Sequence, residues 1–279
     1  MANPELDIEL DKFRELVGTA LAEGGTQPLI KLTDEELAVL DPSALKDVVA
    51  PTPHLATLPE EKREWVLGTA LRSLVSRGAV EVANIAELDA VLRSEGTGSN
   101  LTAEVDMRIT PEVGMALTLR RTATRALAVE QQTSSGSVTA FVFVHSPELM
   151  LIEQVTGGGM HIFTLAGKAR DAARIVQALV DPFGTADRDS KAQLLDASAL
   201  TTDTVDKRLA SVIDKALVVS QLITLADEPG ALLTTYATDR EVWVVNVDSP
   251  QAPTGITAQA VGERTLEERI VKLLTLPAA

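Results

Sequence analysis

Cysteine is absent from the 279-residue chain, so neither a disulfide, a thiolate metal site nor thiol redox chemistry can operate in it. Aromatic residues are scarce at 3% (two Trp, one Tyr, five Phe), which leaves Leu, Val, Ile and Ala to fill a core. The same scarcity withholds the stacking platforms that nucleic-acid and carbohydrate sites favour. Histidine occurs only as His54, His145 and His161, with no HExxH or comparable spacing for zinc. Positive charge is in deficit, 25 Lys and Arg against 40 Asp and Glu, for a net −15. A field of that sign repels phosphate backbones and anionic lipid and favours neutral or basic partners. No apolar run approaches the roughly 18 residues of a membrane helix. The start, MANPELDIELDKFRELV, lacks the basic and apolar blocks of a signal peptide, so a cytoplasmic location is expected.

What is present is a core-forming composition: 45% apolar and 23% charged residues, enough for one large domain or two ordinary ones. Helical periodicity runs from Pro4 to Leu21, where Gly24-Gly25 ends it. Thr33 with Glu36 fits a capping box for a short helix to Leu40, and Pro42–Val49 reads as another. Thr57 with Glu60 opens a longer helix that stops at Gly78, followed by a short strand AVEVA and a helix near Asn84–Leu92. Ser94–Asn100, SEGTGSN, is the best linker in the first third.

Beyond the linker the period changes. A strand pattern at LTAEVDMRI, a helix opened by Thr110-Pro111 and a strand near Arg125–Gln132 lead into a hairpin at Ser137–Val155. The turn TGGG, the strand MHIFTLA and the helix Gly167–Val180 follow. The order then recurs: a helix over Asp206–Gln221, a strand LITLADE, a hairpin at Ala231–Asp248, a strand ITAQAVG and a helix Glu263–Leu274. Gly167–Leu179 aligns with Gly262–Leu274 without gaps, and the hairpins align with Phe143 over Tyr236 and Met150 over Trp243. The expectation is an α+β fold with mostly antiparallel sheet, a quasi-twofold internal duplication, flanking helices and an N-terminal helical region. Its parts are 1–100 (with a winged-helix-like piece at 57–83), 101–182 and 205–276, assembled as one unit.

Reactive motifs are weak. TGGGM at Thr156–Met160 invites a phosphate-cradle reading, but a strand follows it where a helix N-terminus is needed, so a turn with positive φ is the better reading. Ser43–Lys46 matches S-x-x-K without its companion motifs. The carboxylates fall mainly on helix surfaces. No catalytic residue, cofactor or metal site is assigned, and an enzyme with a dispersed site is the least favoured reading. In the second hairpin Val245 and Val247 share a face with Trp243, and both faces are apolar, so both are expected to be covered, one of them by helices and the other by the twin unit or a partner. Tyr236, Trp243, Val245 and Val247 are the candidate protein-binding residues, against a plain core role. In the alternative reading, a DNA-binding or regulatory scaffold, Lys62, Arg63, Arg72 and Arg77 on the 57–83 piece would meet phosphates, against the sign of the net charge.

The segments LTDEELAVL (Leu32–Leu40), ALRSLVSRGAVEV (Ala70–Val82) and ITPEVGMALTLRRTATRALAVEQQ (Ile109–Gln132), followed by two sheet-and-helix halves, resemble the EspG family, cytosolic chaperones associated with ESX (type VII) secretion in actinobacteria. The resemblance implies a quasi-twofold antiparallel sheet with helical subdomains. It also implies a non-enzymatic protein that covers the apolar tip of a helical-hairpin secretion substrate.

Overall fold

In the computed structural model, residues 15–19, 22, 24–46, 50–83, 107–195, 207–225, 232–247 and 256–275 are described. Residues 15–19 and 22 are helical; the rest of the helix expected from Pro4, the helix at 84–92 and the linker at 94–100 lie outside the described residues. No helix among the described residues is long and apolar enough to cross a membrane.

The N-terminal part opens with a strand, β1 (Thr26–Thr33). The capping box then forms as expected: the Glu36 N–H donates to Thr33 Oγ1 (3.2 Å) and the Thr33 N–H to Glu36 Oε2 (3.1 Å), starting α1 (Asp34–Leu40). A 3-10 turn over Pro42–Lys46 stands where a helix was expected. Next come α2 (Pro53–Thr57) and α3 (Glu60–Ser76). Pro59 occupies the N-cap of α3, and no side chain caps it; Thr57 instead donates its hydroxyl to the His54 carbonyl at the end of α2. Strand β2 (Val80–Val82) pairs with β3 (Met107–Ile109) in a separate two-stranded sheet.

Everything else is built on one ten-stranded antiparallel sheet. After α4 (Pro111–Thr122) come β4 (Arg125–Thr133), β5 (Gly136–Ser146), β6 (Leu149–Thr156), β7 (Met160–Ala166) and α5 (Ala169–Val180). After the short β8 (Gln193–Leu195) come α6 (Lys207–Lys215), β9 (Val218–Leu225), β10 (Leu232–Ala237), β11 (Val242–Val247), β12 (Ile256–Val261) and α7 (Glu263–Thr275). The spatial order is β1-β7-β6-β5-β4-β9-β10-β11-β12-β8. Two αββββα units therefore meet along β4 and β9, which pair from Ala126–Leu225 to Thr133–Val218. The duplication thus includes a leading helix in each copy, α4 and α6. The helix expected to run to Gln221 ends at Lys215 because Val218–Leu225 takes a central place in the sheet, where alternating side chains are buried on one face.

The sequence alignment of the hairpins holds at Phe143 and Tyr236 and fails at Met150. A bulge between Val144 and Ser146 adds a residue to the first copy, so Met150 corresponds to Val242; Trp243 points to the other face. The helices likewise match one residue off the gapless alignment. Ala172, Val176 and Val180 face the core as Leu266, Ile270 and Leu274 do.

One face of the sheet carries Leu127, Val129, Ala140, Val142, Met150, Ile152, Leu222, Val242 and Val244 beneath α5 and α7. Arg125 of the first copy crosses to the second, donating to the carbonyls of Leu273 and Leu274 at the end of α7. The reverse face splits. In the first copy Phe141, Phe143, Leu151, Val155, Phe163 and Leu165 pack under α4 and the N-terminal elements. In the second, Trp243, Val245, Val247, Ile256, Ala258 and Ala260 pack under α6 through Leu209 and Val212.

Candidate binding surface

The structure separates the four candidate contacts in the second copy. Trp243 is 1% exposed, and Val245 and Val247 are also buried, because α6 lies over the face they share. Both faces of the hairpin are covered, as expected, and the burial fits the plain core role for these three residues: a nine-residue helix supplies the cover, and Arg208 on it sits 5.2 Å over the Trp243 ring. Tyr236, on the same face, is half-buried; burial raises its phenol above the ordinary value. An open apolar groove lies in the N-terminal part.

There, α3 spreads its apolar residues Trp65, Val66, Leu67, Ala70, Leu71, Leu74 and Val75 over more than one side, among charged and hydroxyl residues. Its inner side buries Ala70 and Leu74, leaving Trp65 73% exposed. Trp65 is the largest apolar side chain in the open among the described residues. It stands at the mouth of a groove of 420 Å³ between α1 and α3, floored by Val66, Thr69, Ala70 and Ser73 and edged by Thr33, Glu35 and Glu36. The groove exists because small side chains on α3 face α1. Most of its polar groups are already engaged, Glu35 being the exception with only a 3.6 Å approach to His54. Glu36 accepts from Thr33, from the Ser73 hydroxyl (2.8 Å) and from Arg77 (3.0 Å), while the Thr69 hydroxyl donates to the Trp65 carbonyl (3.0 Å). What remains for a ligand is mostly apolar.

The basic candidates do not form a stripe. Arg77 turns inward to Glu36 and to the Lys31 carbonyl of β1; Arg63 donates to the Leu58 carbonyl; Arg72 donates to Thr69. Lys62 is exposed among Glu60, Glu61 and Glu64. The ribbon behind α3 is made by β2 and the distant β3, not by a tight wing hairpin.

One group of residues that sequence spacing did not single out anchors this region. His161 on β7 is wholly buried, with Nδ1 2.6 Å from Glu153 Oε1 on β6 and Nε2 2.7 Å from Asp34 Oδ1 on α1. The other Glu153 oxygen accepts from Arg120 Nε on α4 (2.9 Å), and Arg120 also donates to the Ala50 carbonyl (3.1 Å). The other Asp34 oxygen accepts the N–H groups of His54 and Leu55 at the start of α2 (2.7 and 2.8 Å). An imidazole, a guanidinium and two carboxyl groups thus meet out of contact with water. Burial alone would lower the imidazole's proton affinity. The hydrogen bonds to Asp34 and Glu153, together with their charges, outweigh it and hold His161 above its ordinary 6.5. The glycine turn serves this cluster. Gly159 has φ +73°, its carbonyl accepts the Asp34 N–H (2.9 Å), and a Cβ there would stand 2.7 Å from His54 Cβ. Of the other histidines, His145 places Nε2 2.9 Å from the Leu119 carbonyl, and His54 approaches Glu35 at 3.6 Å.

No protein-family model matches the chain, and no curated protein is detectably similar to it.

Proposed function

We propose that the chain is a non-enzymatic binding protein, EspG-like in kind, that takes up the apolar tip of a helical partner and keeps it from aggregating. The observation that carries this reading is the groove at Trp65: a large exposed aromatic beside a small-residue trough in which Glu36, Thr69 and Ser73 are already hydrogen-bonded within the chain. Such a site rewards apolar side chains over small polar ligands, which need convergent free donors and acceptors. Exposed Trp is a frequent energetic anchor in protein interfaces, and shielding a few hundred Å² of apolar surface is enough to keep a partner soluble. The net charge of −15 favours a partner whose flanks are neutral or basic.

Purification of the tagged full-length chain from its native host tests the reading. Wild type is expected to bring down a helical-hairpin protein, and Trp65→Ala to lose it while changing stability by no more than about 0.5 kcal/mol, as surface substitutions generally do. Equal retention of such a protein by both chains, or none by either, argues against it.

A further inference from the structure

We propose that the buried cluster Asp34–His161–Glu153–Arg120 is a proton-dependent latch that fastens the N-terminal arm (β1, α1 and α2) to the first copy of the sheet.

The internal duplication supplies the comparison. Pairing register carries Glu153 onto Val245 and His161 onto Ile256, since Glu153–Phe163 and Val155–His161 in one copy correspond to Val245–Ala258 and Val247–Ile256 in the other. Where the second copy holds its covering helix by apolar contacts and by Arg208, which lies over the Trp243 ring and pairs with the partly exposed Glu241, the first has two ionisable groups in the middle of an apolar face. Both point at the arm. Charges in such a place do not add stability over well-packed apolar residues, and they make docking conditional on every partner being present and correctly charged.

The condition falls on His161. Asp34 Oδ2 accepts two main-chain N–H groups and Glu153 Oε2 accepts the Arg120 Nε–H, so the oxygens facing the imidazole belong to carboxylates that are already acceptors. With both carboxylates ionised, both imidazole nitrogens donate, and the ring is an imidazolium. Losing its proton turns one nitrogen into an acceptor aimed at a carboxylate and leaves two buried anions against Arg120 alone. Around the cluster, α1 contributes Asp34, Glu35 and Glu36, α2 His54, β6 Glu153, β7 His161 and α4 Arg120. Of these, Glu36 is tied to Arg77, and His54 faces Glu35 with its ring half exposed. A group whose folded-state value is raised contributes stability that is complete below its unfolded value and is lost as pH rises through the folded one. The arm is therefore fastened below about pH 6.5 and loosens above it.

Hydrogen exchange across pH tests the latch, with rates corrected for intrinsic pH dependence. The opening constant of amides in β1 and α1 is expected to rise about tenfold per pH unit between 6.5 and the raised folded-state value, one proton being lost on opening. Amides of β11 should show no such slope. The paired change His161→Ile with Glu153→Val copies the second half and leaves Asp34 and Arg120 in charge balance; the slope should vanish in it. If that variant fails to fold, nitrogen chemical shifts of the wild-type imidazole decide, a doubly protonated ring at pH 6 that titrates together with arm opening being the expected result. A neutral ring at pH 6, a slope that survives the paired change, or equal loosening of arm and β11 overturns the proposal.

Discussion

At the scale of single residues, the buried charges and one glycine explain more than the aromatic residues do. Gly159 is needed twice over, for its positive φ and because His54 and Asp34 fill the space a methyl group would take. Gly159→Ala is expected to destabilise the chain by about 1–3 kcal/mol, the range for a strained left-handed backbone, read as a lower denaturant midpoint with an unchanged slope. An unchanged midpoint would mean the turn relaxes without disturbing the latch. The glycine run thus has a structural reason at the position where a phosphate loop might be imagined. His161 shows the limit of spacing arguments: its partner Asp34 lies 127 residues before it, and Arg120, which bonds its other partner Glu153, is on a separate helix, so only the fold brings the cluster together.

Elements were legible in the sequence where periodicity and capping agreed. The Thr33–Glu36 box, the Thr110-Pro111 helix start, the first-copy strands and the terminal helix all stand where their patterns put them. Those that were not legible are short or held by tertiary contacts. Strand β1 contains Pro28 and lacks alternation, yet pairs with β7 as an edge strand with an irregularity between Pro28 and Ile30. Three-residue β8 has no pattern to read, and Val218–Gln221 was drawn into a helix by the periodic residues just before it. The helix over Trp243 could not be inferred from the hairpin, whose two apolar faces say that both are covered without saying by what. Leu209 is, with Val212, a buried contact of α6 on that face, so Leu209→Ala is expected to cost about 2–5 kcal/mol, as large-to-small core changes do. In a Trp65→Phe background Trp243 is the remaining indole, and its emission should move to longer wavelength as α6 loosens. Emission that stays blue with full stability would mean α6 is not what shields the ring.

At the scale of the molecule, two copies of one unit share a continuous sheet and divide the labour on its reverse face. The obverse is sealed by α5 and α7 across both copies, and Arg125 ties the first copy to the end of the second. On the reverse, the second copy is closed by a short amphipathic helix, while the first carries an arm fixed through buried charge. That arm also supplies α1, one wall of the Trp65 groove, so the open surface and the latch share an element. The duplication was readable because it repeats a whole order of elements; the asymmetry was not, because it arises from contacts made by the unduplicated N-terminal part.

The most direct test of the proposed function is a hydrogen-exchange footprint of the full chain with whatever helical protein co-purifies with it. The account predicts added protection at Asp34–Leu37 of α1 and Trp65–Ser73 of α3, with α7 unchanged. Protection confined to α7 or to the second copy, with Trp65–Ser73 exchanging as in the free chain, would contradict it.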